Sequence, residues 1–280
     1  MSFTEFPFSI LNRKEHIEKL KTGTFDLVVI GGGATGAGIA LDASSRGLKT
    51  ALVEMRDFAS GTSSKSTKLI HGGLRYLKQL DIGLVRETGT ERAIVHRLAP
   101  HLVLPEKMLM PLIKGGTYGK WATSFGLMVY DILAGVKGDD RRKMLTKKQT
   151  LELEPLLDEK GLKGGGYYAE YRTDDARLTI ELLKTATSHG AVTLNYCKVK
   201  DFKYSKNTIS GVICRDENNG NEFEIKSKMV VSAGGPWVDR IRGVDGVVTG
   251  KRLHLTKGVH VVLPYGKLPL KQTTYLKLDY

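Results

Sequence analysis

The run Asp26-Leu27-Val28-Val29-Ile30 stops at Gly31-Gly32-Gly33-Ala34-Thr35-Gly36. Leu27 to Ile30 carry no polar residue, which suits a strand covered on both faces, as in a parallel sheet. From Thr35 to Arg46 the residues are small and helix-compatible, and Gly47 offers a C-terminal stop. Thr50 to Val53 is a second apolar run, closed by Glu54. Strand, helix and strand in this order predict a βαβ unit. The chain is thereby committed to an α/β class with a parallel sheet.

The glycine pattern satisfies G-x-G-x-x-G in the context that gives it meaning, after a strand and at a helix start, with an acid closing the second strand. Gly31 makes the tight turn. Gly33 lets backbone approach a diphosphate with no Cβ between them. Gly36 lets the helix pack closely on the strand. Ala34 and Thr35 then stand in the first helical turn, whose N–H groups attract phosphate. Glu54 would accept hydrogen bonds from ribose hydroxyls. The competing reading is a glycine-rich turn that binds nothing. Downstream, Asp57 to Tyr76 forms a long hydroxyl-rich stretch with Thr62, Ser63, Ser64, Lys65, Ser66, Lys68, His71, Gly72 and Gly73. Its hydroxyls and backbone amides suit a diphosphate, and its Gly-Gly pair suits close approach to a flat ring. A solvated surface loop is the alternative.

Composition bounds the rest. In 280 residues, 43 Lys and Arg against 30 Asp and Glu give a net charge of +13. That excess points to an anionic partner: a phosphorylated ligand, a membrane surface or nucleic acid. The basic residues are interspersed with acids and no nucleic-acid motif appears, so nucleic acid is not expected. No apolar stretch approaches the ~20 residues of a membrane span. The N-terminal residues lack a basic start and long apolar core, so no signal peptide is expected, and the cytosol is the expected compartment. Cys197 and Cys214 have no neighbouring histidine cluster and read as buried small residues, and no metal site is expected.

Along the chain, Asn12 and Glu15 read as a capping box opening a short helix. Further helices are expected from Leu80 to Leu98, from Lys120 to Leu133 and from Asp174 to about His189. Strands are expected over Ala191–Val199, Ile209–Arg215, Glu222–Ile225, Met229–Ser232 and Gly258–Leu263. Trp121 to Leu133 could lie on a bilayer, or pack on a sheet as an ordinary helix. Arg141-Arg142-Lys143 and Lys147-Lys148 are the better candidates for attraction to anionic lipid.

The run from Leu27 to Tyr76 closely resembles FAD-dependent glycerol-3-phosphate dehydrogenases, most specifically at His71-Gly72-Gly73-Leu74-Arg75-Tyr76. Tyr171 to Leu178, Ala233 to Val238 and Lys257 to His260 resemble the same family, in the same order. The resemblance implies an FAD-binding Rossmann-like domain of glutathione-reductase-2-like type. It is interleaved with an antiparallel-sheet substrate domain. The expected division is 22–101 and 167–240 for the FAD domain, and 102–166 and 241–280 for the substrate domain. Members of the family are longer, so the substrate domain is expected to be incomplete here, with acids outside this chain offsetting part of the charge.

The implied reaction is oxidation of sn-glycerol 3-phosphate to dihydroxyacetone phosphate by FAD, with electrons passed to a membrane quinone. An oxidase that uses oxygen, and a flavin-binding piece without activity, are the alternatives. Peripheral association with the inner face of the cell membrane is expected, and a homodimer stays open. Arg75 is expected at the substrate phosphate. His260 is expected to be the base for the hydroxyl proton, with Lys257 in the same pocket if the chain bends at Gly258. Ala233 and Gly234 are expected at the flavin and Val199 at the adenine side. Trp237 reads as packing.

Overall fold

β1 (Thr24–Ile30) lies at the centre of a six-stranded sheet, with Val28 and Val29 fully buried. α1 (Arg13–Thr22) precedes it, α2 (Ala34–Ser45) follows it, and β2 (Thr50–Val53) pairs parallel beside it. The βαβ expectation therefore holds. A computed structural model of the chain describes residues 7–70, 81–115, 120–133, 138, 141–246 and 250–276. α1 starts where expected, but Asn12 makes no side-chain cap, and Glu15 pairs with Lys19 at 2.7 Å instead of reaching back. A partner one turn along the same helix competes with the capping geometry.

The remaining elements, in order, are β3 (Leu69–Ile70), α3 (Ile82–Leu98), β4 (Leu104–Ile113), α4 (Lys120–Leu133), β5 (Lys143–Leu145), α5 (Lys147–Leu153) and β6 (Leu162–Arg172). Then come α6 (Asp175–Ser188), β7 (Val192–Leu194), β8 (Cys197–Ser205), β9 (Thr208–Asp216), β10 (Glu222–Ser232), α7 (Val238–Val244) and β11 (Thr273–Thr274). Asp174 caps α6 by accepting from the amides of Ala176 and Arg177. Such a cap contributes about 1 kcal/mol.

The six-stranded sheet runs β7-β2-β1-β10-β9-β8. β7, β2, β1 and β10 are parallel, while β9 and β8 are antiparallel additions. The apolar side chains of one face, including Val28, Val53, Val212 and Ile225, meet α1; those of the other, including Val29 and Leu52, meet α2 and α6. Two expected strands prove to be one. β10 continues through Lys226-Ser227-Lys228, where the polar break suggests a turn. Its first half pairs with β9 and its second half with β1. Conversely, the single strand expected over Ala191–Val199 divides at Asn195-Tyr196, where Tyr196 takes φ +48°.

The chain divides into two compact units, 1–66 with 174–258 and 67–173 with 259–280. The two units alternate along the chain, and their crossings differ from the expected 22–101, 102–166, 167–240 and 241–280. The first crossing comes earlier because β3 pairs with β6, and because Arg92 of α3 forms a buried ion pair with Glu170 of β6. The return comes later because β6 pairs with β4 along its whole length to Arg172. The first unit also takes in α1, and it keeps α7 and the residues after it up to Gly258.

In the second unit the sheet runs β11-β4-β6-β3, with β5 also on β6. Its pairs are antiparallel except β11 with β4. Leu127 and Tyr168 are buried between α4 and this sheet. The strand expected over Gly258–Leu263 does not form. Residues 251–264 have no regular secondary structure and are exposed, because no strand among the described residues lies beside them to complete a ladder.

Candidate dinucleotide site

The site is built where β1, β2 and β10 end on one edge of the sheet. The ladder continues one residue past each strand: the amide of Gly31 donates to Val53 O, that of Ala233 to Ile30 O and that of Glu54 to Leu194 O, at 2.8–2.9 Å. In open α/β sheets this carboxyl edge is where ligands bind. Gly31 takes φ +117°, and a Cβ there would lie 2.5 Å from Ala233 O. A Cβ on Gly36 would lie 1.8 Å from Gly31 O, so that glycine sets how closely α2 packs on β1. At Gly33 a Cβ would meet only Ser63 Oγ, at 3.3 Å; this position faces the open side. Gly32 is constrained too, because Phe58 and Glu54 pack onto it.

Glu54 is fixed from both sides. One carboxylate oxygen accepts from Gly32 N at 2.7 Å and the other from Arg56 N at 2.8 Å. Each oxygen retains a lone pair for a further donor. The first turn of α2 carries amides with no intrahelical acceptor. That of Ala34 donates to Ser63 Oγ at 2.9 Å. The loop bearing Ser63 is tied down at its start, where Ala59 N donates to Gly32 O.

These groups border a cavity of about 330 Å³. Gly31, Gly33, Ala34, Thr35 and Glu54 line it from the βαβ unit. Thr62 and Ser63 line it from the loop, Val199 from β8, and Ala233 and Gly234 from the end of β10. Their chemistry fits a dinucleotide: a helix N-terminus for the diphosphate, a carboxylate for ribose hydroxyls, and Val199, Ile241 and Val244 as an apolar wall for a base. Cys197 also lines the cavity. Its hydrogen bond to Cys214, reinforced by burial, pushes the Cys214 thiol well above its ordinary range.

The family model for FAD dependent oxidoreductases, the DAO family, matches residues 26–278. The chain belongs to the FAD-dependent oxidoreductase family. FAD is that family's cofactor. The aerobic glycerol-3-phosphate dehydrogenase of Staphylococcus aureus (strain USA300) is 60% identical over 269 residues, which are 95% of this chain and 48% of that protein. The glycerol-3-phosphate dehydrogenase of Bacillus halodurans, solved in complex with FAD, is 46% identical with a TM-score of 0.66. The match covers 84% of this chain and 39% of that one. A glycine oxidase from Geobacillus kaustophilus shares the fold, at 22% identity and a TM-score of 0.61, over 80% of this chain and 59% of that one. The chain thus spans about half the length of the curated relatives it matches.

Other expected FAD residues lie away from the cavity lining. Gly36 is beneath it, as the packing role requires. Ser64 and Lys65 are exposed on the loop, and the Ser66 hydroxyl donates to Asp175 in the first turn of α6. Lys68 is in the second unit, in left-handed conformation with φ +62°, and its carbonyl accepts from Thr173 N. His71, Gly72, Gly73 and Arg75 lie outside the described residues. Lys257 and His260 are exposed and line neither this cavity nor the smaller one beside Arg13 and His16.

Sequence reasoning passed over Arg56, Lys198, Arg240 and Ile241 and read Trp237 as packing; all five line the cavity. A signal existed for α7, since Arg240, Ile241 and Val244 recur at helical spacing after the Gly-Gly-Pro turn. None existed for Arg56, whose side chain stacks on a residue 181 positions further along.

Proposed function

We propose that this chain is the FAD-binding and partial substrate portion of an enzyme that oxidises sn-glycerol 3-phosphate to dihydroxyacetone phosphate. The observation that carries this reading is the 60% identity to a glycerol-3-phosphate dehydrogenase over 95% of the chain. The bound flavin supplies an acceptor for the hydride leaving carbon 2. Among this chain's residues, His260 is assigned the hydroxyl proton, because a neutral imidazole accepts a proton near pH 7. Arg75 is assigned the substrate phosphate, through a guanidinium that forks onto phosphate oxygens. Lys257 is assigned to the same pocket. The helix N-terminus at Ala34 and Thr35 holds the cofactor diphosphate, and Glu54 holds the ribose.

The acceptor is assigned as a membrane quinone. Among the described residues no helix is long and apolar enough to cross a membrane; the contact is assigned as peripheral. α4 supports it: Phe125 is 63% exposed and Ile132 is 71% exposed, two turns apart on one face. Arg141 and Lys143 are exposed nearby in sequence. Arg142 is committed elsewhere, since its Nε donates to Ser124 O and its amide to Asp131.

The deciding experiment is anaerobic absorbance across the flavin bands before and after glycerol 3-phosphate. Bleaching is expected when cofactor, substrate site and completeness coincide. A protein that binds flavin but does not bleach would limit this chain to cofactor binding. Peroxide formation under air, undiminished by an added quinone, would instead make it an oxygen-using oxidase.

A further inference from the structure

Trp237 closes one side of the dinucleotide cavity. After β10 the chain turns at Gly235, with φ +51°, and runs through a single 3-10 turn, Gly235–Trp237, into α7. That turn lays the indole against Gly61, where a Cβ would come within 3.0 Å of the ring. Gly61 begins the turn that carries Thr62 and Ser63, and Ser63 Oγ is the group held against the Ala34 amide at 2.9 Å. On the indole lies the guanidinium of Arg56, 5.7 Å from the ring centroid. The backbone amide of this same Arg56 donates to Glu54 at 2.8 Å. One aromatic ring therefore links the hydroxyl-bearing loop to the strand end that holds the ribose carboxylate.

We propose that Trp237 is a positioning residue for the adenosine diphosphate half of the dinucleotide, with Arg56 clamped on its ring. The proposal rests on the reading of this cavity as the FAD site. The indole keeps the 60–64 loop at the distance from the α2 N-terminus that lets Ser63 and the helix amides face one diphosphate. The Arg56 cation, drawn to the ring face, holds the assembly closed and adds positive charge at an anion site. Gly61 is small because any side chain would push the ring away.

The test uses the two tryptophans of the chain, Trp121 and Trp237. In Trp121→Phe the remaining emission comes from Trp237, and both FAD and ADP should change it. By titration calorimetry, Trp237→Leu should weaken FAD and ADP about tenfold or more, and by similar factors, because loop misplacement costs the diphosphate its oriented donors. Trp237→Phe should restore most of the affinity by keeping a ring on Gly61, and Gly61→Val should reproduce the loss. A purely structural role would lower the unfolding midpoint without this matched loss. Arg56→Gln is an exposed change that leaves folding intact, and it should weaken both ligands several-fold. If the unsubstituted chain binds FAD while Trp237→Leu and Arg56→Gln bind FAD and ADP equally well, the positioning role is wrong. If the unsubstituted chain binds neither ligand, the cofactor reading fails instead, and the proposal with it.

Discussion

Gly36 and Glu154 show how single residues fix the two units. Gly36→Ala would drive a methyl group into Gly31 O, a backbone atom that cannot move without reshaping the β1–α2 turn. Overpacking of this kind costs about 1–3 kcal/mol, so guanidinium unfolding should shift to lower denaturant and FAD affinity should fall. Glu154 is buried at the end of α5, and its carboxylate accepts from the amides of Leu156, Lys271 and Gln272. Burial alone would raise its pKa, but these three backbone donors outweigh burial and hold it below its ordinary value of 4.5. A carboxyl depressed in the folded state stabilises fully above its unfolded pKa and loses that contribution as pH falls through the folded value. Protection factors of the amides at 271–274, taken relative to their intrinsic exchange rates, should therefore fall on acidification below the ordinary value, and Glu154→Gln should show low protection already at pH 7. Unchanged protection in that variant would remove Glu154 as the anchor. The sequence made Gly36 legible, since its spacing from Gly31 and Gly33 has one structural meaning. Glu154 was not legible: two of its three partners are backbone amides 117 and 118 residues away.

At the scale of elements, α3 is held to β6 by charge inside an apolar setting. Arg92 and Glu170 have side chains 2% exposed and meet at 3.0 Å. The guanidinium also stands 4.7 Å from the Tyr171 ring centroid. Removing one member of such a pair strands the other, at about 3–5 kcal/mol, while replacing both with apolar residues of similar size costs far less. Glu170→Ala should lower the unfolding midpoint sharply, and Arg92→Met with Glu170→Leu should recover most of the loss. Equal losses in the single and double variants would argue against a coupled pair. This contact also explains the misplaced crossing. Leu80–Leu98 was readable as a helix from its own pattern, but its allegiance depends on a partner 78 residues on. The same holds for Lys226-Ser227-Lys228, polar residues that look like a turn and are strand because β1 and β9 supply ladders on either side.

At the scale of the whole molecule, the +13 charge was legible from composition, while its destination was not. Some of it faces the dinucleotide cavity as Arg56, Lys198 and Arg240. Free FAD at about 100 times its dissociation constant should therefore add about 2.7 kcal/mol to the stability of the unit that binds it. A calorimetric scan should show that transition moving up; a scan unmoved by FAD would contradict the site. The charge left on the surface should give sedimentation with anionic vesicles that weakens as salt rises from low to physiological strength. Binding to neutral vesicles of equal strength would assign the contact to apolar side chains alone. Finally, the split partnership of β10 orders events during synthesis. β1 leaves the ribosome well before its neighbour on one side, Lys226–Ser232, which emerges some two hundred residues later. β4 and β6 are separated by far less chain and can close their ladder in the meantime. Closing long loops is slow. The segment inserted in the middle of the nucleotide-binding unit is thus expected to acquire protected amides first, leaving the glycine turn to wait for the strand that completes it.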